Sequence, residues 1–197
     1  MTLPEHILQH AQSLPEGGVL SPREFLHLGS RAAVDQALSR LVKAGKLLRV
    51  ARGSYTAPVS SRFGSRAPAP RSVVEALAAR TGEAVVAHGA ASANALGLTQ
   101  QVPIREVYLT TGRTRKLQVG RSEVIVRQAP RWMFTLGARP AGAAVRALAW
   151  LGRDHVQASI EKLHRSLPAE EWQALASQQA SLPTWMAVAI GREALRG

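Results

Sequence analysis

Arg31 and Gln36 lie on a segment that reads as helical, and both side chains are long and polar enough to reach base edges in duplex DNA. Ser30 precedes them as the helix cap. Ser21, Arg23, Arg40, Lys43, Lys46, Arg49 and Arg52 supply the hydroxyl and cationic groups that suit phosphate oxygens. The chemistry offered by this set is recognition of a polyanion.

Residue types for bond-breaking chemistry are scarce. Cysteine is absent, which excludes disulfides, thiolate zinc sites and a cysteine nucleophile. His6 and His10 form a helical i, i+4 pair without the Glu of a zinc-protease motif. Asp35 and Asp154 are the only aspartates, too few for the clustered carboxylates that hold Mg²⁺ in a nuclease. No phosphate-binding Gly-rich loop, G-x-S-x-G elbow or dinucleotide fingerprint occurs. The expectation is a protein that is not an enzyme and uses no metal or cofactor.

Composition points the same way. Twenty-five Lys and Arg against thirteen Asp and Glu leave a formal charge of +12 over 197 residues, which favours a nucleic-acid partner. Aromatic residues make up 5%, too few for a stacking platform for single-stranded RNA, so duplex DNA fits better. The N-terminus has no basic segment followed by an apolar core, and no apolar run approaches membrane-spanning length. A cytoplasmic protein with no membrane partner is expected.

The elements that must hold the basic set follow from periodicity. Ile7, Leu8, Ala11 and Leu14 form the stripe of a first helix, and Ser21-Pro22-Arg23-Glu24 has capping-box spacing for a second helix of about two turns ending at Gly29. Ser30 caps a third, with Val34, Leu38, Leu41 and Val42 inward and Arg31, Ala33, Gln36, Arg40 and Lys43 outward, up to Gly45. Strand-like runs 47–50 and 54–56 then flank the turn Ala51-Arg52-Gly53. This order is that of a winged helix-turn-helix over residues 1–58, whose third helix fits a major groove about 12 Å wide.

Residues 59–71 read as a basic Pro/Ser-rich linker, in which Arg62, Arg66 and Arg71 either follow a phosphate backbone or keep a solvated tether open. Residues 72–197 read as a second domain. A helix capped at Ser72 is followed by strand candidates at 84–87, 104–110, 115–119 and 123–127 and a small-residue helix at 90–96. The last fifty residues are helical, with Trp172, Trp185 and Met186 as core anchors. The fold class expected is α+β, with a small, mainly antiparallel sheet and a helical C-terminus.

Between Arg105 and Arg139 eight cations meet only Glu106 and Glu123. Because strand residues alternate between faces, Arg113, Arg115 and Lys116, in or beside a turn, are the candidates for a second basic patch.

The wing sequence Arg52-Gly53-Ser54-Tyr55-Thr56-Ala57-Pro58, the segment from Ala90 to Pro103 containing Ala93-Asn94-Ala95-Leu96-Gly97-Leu98-Thr99-Gln100-Gln101, and Val107-Tyr108-Leu109-Thr110-Thr111-Gly112 together resemble the AbiEi-like antitoxins of type IV toxin-antitoxin systems. The resemblance implies a transcriptional autorepressor whose winged helix binds an inverted-repeat operator in double-stranded DNA. It also implies a second domain that counters a nucleotidyltransferase-like toxin without a stable complex, in a phage-defence setting. This chain is shorter than many such antitoxins. An orphan DNA-binding regulator, or a protein-interaction adaptor without antitoxin activity, is the alternative reading.

Overall fold

A computed structural model describes residues 1–62 and 64–196. The protein is α+β, as the periodicity predicts, and divides into two compact units. The first contains Met1–Glu83 and Thr114–Val126. The second contains Ala84–Arg113 and the chain from Arg127 onward.

The first unit opens with α1 (Leu3–Ser13), where the Thr2 N–H donates to Glu5 Oε2 at 2.6 Å in a capping box. Strand β1 (Val19–Leu20) follows, then a 3₁₀ turn at Pro22–Phe25, α2 (Arg31–Lys43), β2 (Leu48–Ala51) and β3 (Ser54–Thr56). The three strands form one antiparallel sheet in the order β1-β3-β2, so the unit is a winged helix-turn-helix. Ile7, Leu20, Val34, Leu38 and Leu47 are fully buried together, and Phe25 and Tyr55 close the same core. Burying each large apolar side chain contributes roughly 1.5–3 kcal/mol, so this cluster carries much of the unit's stability.

Two expectations change here. The second helix is one 3₁₀ turn rather than two α-helical turns. Its capping box forms, with the Ser21 N–H donating to Glu24 Oε1 at 2.8 Å, but Leu26 to Gly29 turn away to reach the Ser30 cap of α2. Residues 59–71 are also not an extended tether. Strands β4 (Val59–Ser61) and β5 (Gly64–Arg66) pair as a hairpin, and α3 (Pro70–Thr81) begins two residues before Ser72. Proline at the first helical position sets that start, and Glu75 pairs with Arg71 at 2.7 Å instead of closing a capping box with Ser72.

The unit is completed by a hairpin of β8 (Arg115–Val119) with β9 (Ser122–Gln128), in register from Arg115 opposite Val126 to Val119 opposite Ser122. Strand β8 lies against β2 of the wing sheet.

In the second unit β6 (Val85–Ala87) pairs antiparallel with β7 (Glu106–Thr110), and α4 (Gly89–Ala95) packs on α5 (Pro140–Leu151). Helices α6 (Val156–Ser166), α7 (Ala169–Ser177) and α8 (Thr184–Ala194) enclose a core containing Leu148, Ile160, Leu163, Leu175, Met186 and Ile190. Glu171 caps α5 from α7. Its Oε2 accepts the Ala141 N–H at 2.9 Å, and Oε1 accepts from Arg139 Nη2 at 2.9 Å. The Ala141 N–H, then Arg139, hold its carboxyl below the ordinary range.

Gly89 allows the close approach of α4 to α5. A Cβ there would meet the backbone oxygen of Arg146 and stand 2.5 Å from Trp150 Cβ. Gly89→Ala is therefore expected to destabilise the chain by about 1–3 kcal/mol through overpacking, read as a lower Tm.

Glu24 joins three elements of the first unit. It accepts from Ser21 N, from Arg80 Nη2 of α3 at 2.6 Å and from His10 Nε2 of α1 at 3.2 Å. Partial burial raises its pKa, but Arg80 and the Ser21 N–H outweigh that, and it titrates below 4.5. A carboxyl depressed in the folded state contributes stability above its unfolded pKa and loses it as pH falls through the folded value. Glu24→Gln should cost about 1–2 kcal/mol at neutral pH. Its deficit against the parent protein should shrink in melts taken progressively below pH 4.5.

Candidate nucleic-acid interface

Helix α2 owes its two ends to short-range chemistry. Ser30 Oγ accepts the Ala33 N–H at 3.3 Å, as a cap should. At the other end the Gly45 N–H donates to the Val42 carbonyl at 3.0 Å and the Lys46 N–H to the Leu41 carbonyl at 2.9 Å, a Schellman closure. That closure needs a left-handed residue, and Gly45 has φ +68°.

Between those ends Val34, Ala37, Leu38 and Leu41 are buried, while Arg31, Gln36, Arg40 and Lys43 are exposed. Lys46 is exposed just beyond the helix, Arg49 on β2, and Arg52 in the two-residue turn before Ser54. Arg23 is exposed on the 3₁₀ turn, whereas Ser21 is half-buried and serves the capping box there.

Charge pairing separates these cations from most of the other cations of the first unit. Among the described residues no carboxylate pairs with Arg23, Arg40, Lys43, Lys46, Arg49 or Arg52. Elsewhere in the unit Arg66 grips Glu16 through Nη1 at 2.9 Å and Nη2 at 3.2 Å, which holds the Glu16 carboxyl below its usual range. Arg80 is held by Glu24 and the Val19 carbonyl, and Arg71 by Glu75. Arg31 apart, the cations of the helix, its C-terminal turn and the wing stay unneutralised by any carboxylate among the described residues.

Arg31 differs from its neighbours. Its Nε donates to Asp35 Oδ2 at 2.8 Å, one helical turn on. Both side chains are about half exposed, so the pair is a weak one in water. Asp35 is a polar group on the exposed face that the sequence reading passes over, although its i, i+4 spacing from Arg31 was a signal for it. Arg80 was also missed, and no local pattern marks it.

The second basic patch is divided between the units. Arg113 is exposed and belongs to the second, while Arg115 and Lys116 belong to the first. Arg115 is half-buried and bound to Glu83 at 2.7 Å, and Lys116 reaches Glu123 at 3.6 Å. Neither is a bare cation like those of the wing. His10 contacts the Glu24 carboxylate, and among the described residues no third ligand joins them. Among the described residues no group of three or more His, Asp or Glu is arranged to hold a metal, and no helix is long and apolar enough to cross a membrane.

A family model matches residues 6–175, a span that takes in the winged helix from the first turn of α1 onward and most of the second unit. The chain belongs to DUF6088. That family is one of unknown function. No curated protein matches the DUF6088 chain. Among solved structures it is similar to the crystal structure of the RV2827C protein from Mycobacterium tuberculosis, with a TM-score of 0.48 and 17% identity over 96% of this chain and 80% of that one.

If the unpaired cations meet phosphates, each removal should lower duplex affinity for every sequence alike. Arg40→Ala, Lys43→Ala and Arg52→Ala should each reduce the slope of log K against log salt by about one. Anisotropy titrations on random duplex at several salt concentrations measure that slope.

Proposed function

We propose that this DUF6088 protein is a DNA-binding transcriptional autorepressor and the antitoxin of a type IV toxin-antitoxin system. The observation that carries the DNA-binding part is the row of exposed, unpaired cations along α2, the following turn and the wing. In a winged helix the second helix of the motif enters the major groove and basic groups beside it contact phosphate. The autorepressor and antitoxin parts rest on the resemblance of the wing, the Ala90–Pro103 segment and the Val107–Gly112 segment to AbiEi-like antitoxins. On this reading the operator is an inverted repeat, and the counterpart is a nucleotidyltransferase-like toxin not held in a stable complex.

Within that reading Arg31 and Gln36 contact bases. The Asp35 carboxylate engages Arg31 at Nε, which leaves both terminal nitrogens of the guanidinium for a guanine edge. Asp35 also places a negative charge on the DNA-facing side, which repels phosphate of any sequence.

The test is binding to the inverted repeat upstream of the protein's own gene, compared with random duplex of equal length. Arg31→Ala and Gln36→Ala should each weaken operator binding by about 1–3 kcal/mol while changing random-duplex binding less. Asp35→Asn should tighten random-duplex binding and narrow the operator preference. Salt-insensitive, weak association with both duplexes would instead favour an adaptor for an acidic protein.

A further inference from the structure

The second unit holds a cationic pocket of about 300 Å³ whose lining includes His88, Arg127, Met133, Arg146 and Trp150 and contains no Asp or Glu. We propose that it binds a small phosphate monoester, with the phosphate among Arg146, Arg127 and His88 and the organic part against Met133 and Trp150.

The argument starts from Arg146. It sits in α5, within an otherwise apolar run from Pro140 to Leu151, and is 2% exposed. Nη1 donates to the carbonyls of Met133 at 3.1 Å and Gly137 at 2.9 Å. These are dipoles and leave the formal charge uncompensated. Among the described residues no carboxylate reaches the guanidinium, and Nε is buried without a hydrogen-bond partner. Burial pushes its pKa down to about 10, so it remains charged at neutral pH. A buried, unpaired guanidinium is costly unless an anion completes it.

Its neighbours add donors. Arg127 is exposed and carries a second charge, with no carboxylate partner among the described residues. The His88 Nδ1 accepts the Ala90 N–H at 3.2 Å, so the ring proton belongs on Nε2. Burial, then the charge of Arg127, lowers the His88 pKa, and the ring is a neutral donor at pH 7. Two guanidiniums and an imidazole N–H, with no acid in the lining, suit a tetrahedral oxyanion. Half-exposed Met133 and partly exposed Trp150 supply an apolar wall, and the volume lies at the small end of small-molecule sites.

The experiment uses the full chain, titrated by calorimetry with inorganic phosphate, with each nucleoside 5′-monophosphate and with the parent nucleosides. Saturable binding of the phosphate-bearing probes, tighter for the monophosphates than for inorganic phosphate and absent for the nucleosides, is expected. Arg127→Ala, an exposed change, should weaken binding about tenfold or more. Arg146→Met should abolish it, and Arg146→Lys should restore only part. Trp150→Phe should lower affinity for the monophosphates and leave inorganic phosphate unchanged. Circular dichroism of the Arg146 variants separates loss of the site from loss of the fold, and Arg127→Ala stands as the test if they unfold. No saturable binding at millimolar probe, or equal affinity in Arg127→Ala, overturns the proposal. So does a result in which Arg127→Ala weakens only duplex binding, because the phosphate would then be that of nucleic acid.

Discussion

The Glu24 carboxylate is where the first unit is tied together, since it takes hydrogen bonds from the start of its own turn, from α1 and from α3. A single turn of 3₁₀ helix buries only Pro22 and Phe25, too little to fix its own direction. The ion pair with Arg80 and the edge contact between His10 and Phe25, 5.5 Å between ring centres, supply what that turn lacks. Because only Leu26 to Gly29 separate this turn from the Ser30 cap, whatever orients Glu24 also constrains the N-terminal end of α2. The helix-turn-helix is in this sense not self-sufficient.

Charge is arranged by the same economy throughout the chain. Glutamates fall where a helix end or an inter-element gap needs an acceptor: Glu5 and Glu24 at caps, Glu16 under the β4–β5 hairpin, Glu171 at the start of α5. Glu16, Glu24 and Glu171 in addition each neutralise an arginine that has a structural task. Part of the positive charge that remains is left exposed on α2, the turn after it and the wing. The asymmetry is local as well as global, and local asymmetry sets where a polyanion is drawn.

Much of the fold was legible in the sequence because strong local signals and tertiary packing agree. The stripe of α2, the Ser30 cap, the Gly45 stop and the alternation of β8 are all short-range patterns, and each lies where it reads. Failures occurred where local and long-range terms compete. Ser72-x-x-Glu75 has capping-box spacing, yet Pro70 starts the helix earlier. Residues 59–71 have no apolar period, but Glu16, more than forty residues earlier, pairs with Arg66 and the Ala69 N–H and holds the segment in place. Helix α5 escaped notice because it is buried on nearly all sides and so has no polar face to generate a period. The candidate interface was readable as a row of exposed cations. Its Arg31–Asp35 pair had a local signal in the i, i+4 spacing, whereas the burial of Arg146 is set by tertiary packing, although a lone arginine inside an apolar run is itself a sign of a special environment.

The path of the chain through the first unit has a consequence for how the protein is made and dissected. Strand β8 arrives against the wing sheet only after residues 84–113 have gone to the other unit. On the ribosome, the winged helix must therefore wait, with one side of β2 uncovered, until some sixty further residues have emerged. For the same reason no single cleavage of the backbone yields both units whole. A recombinant version of the first alone has to splice Glu83 to Thr114 across an excised insert, rather than stop at the end of the wing.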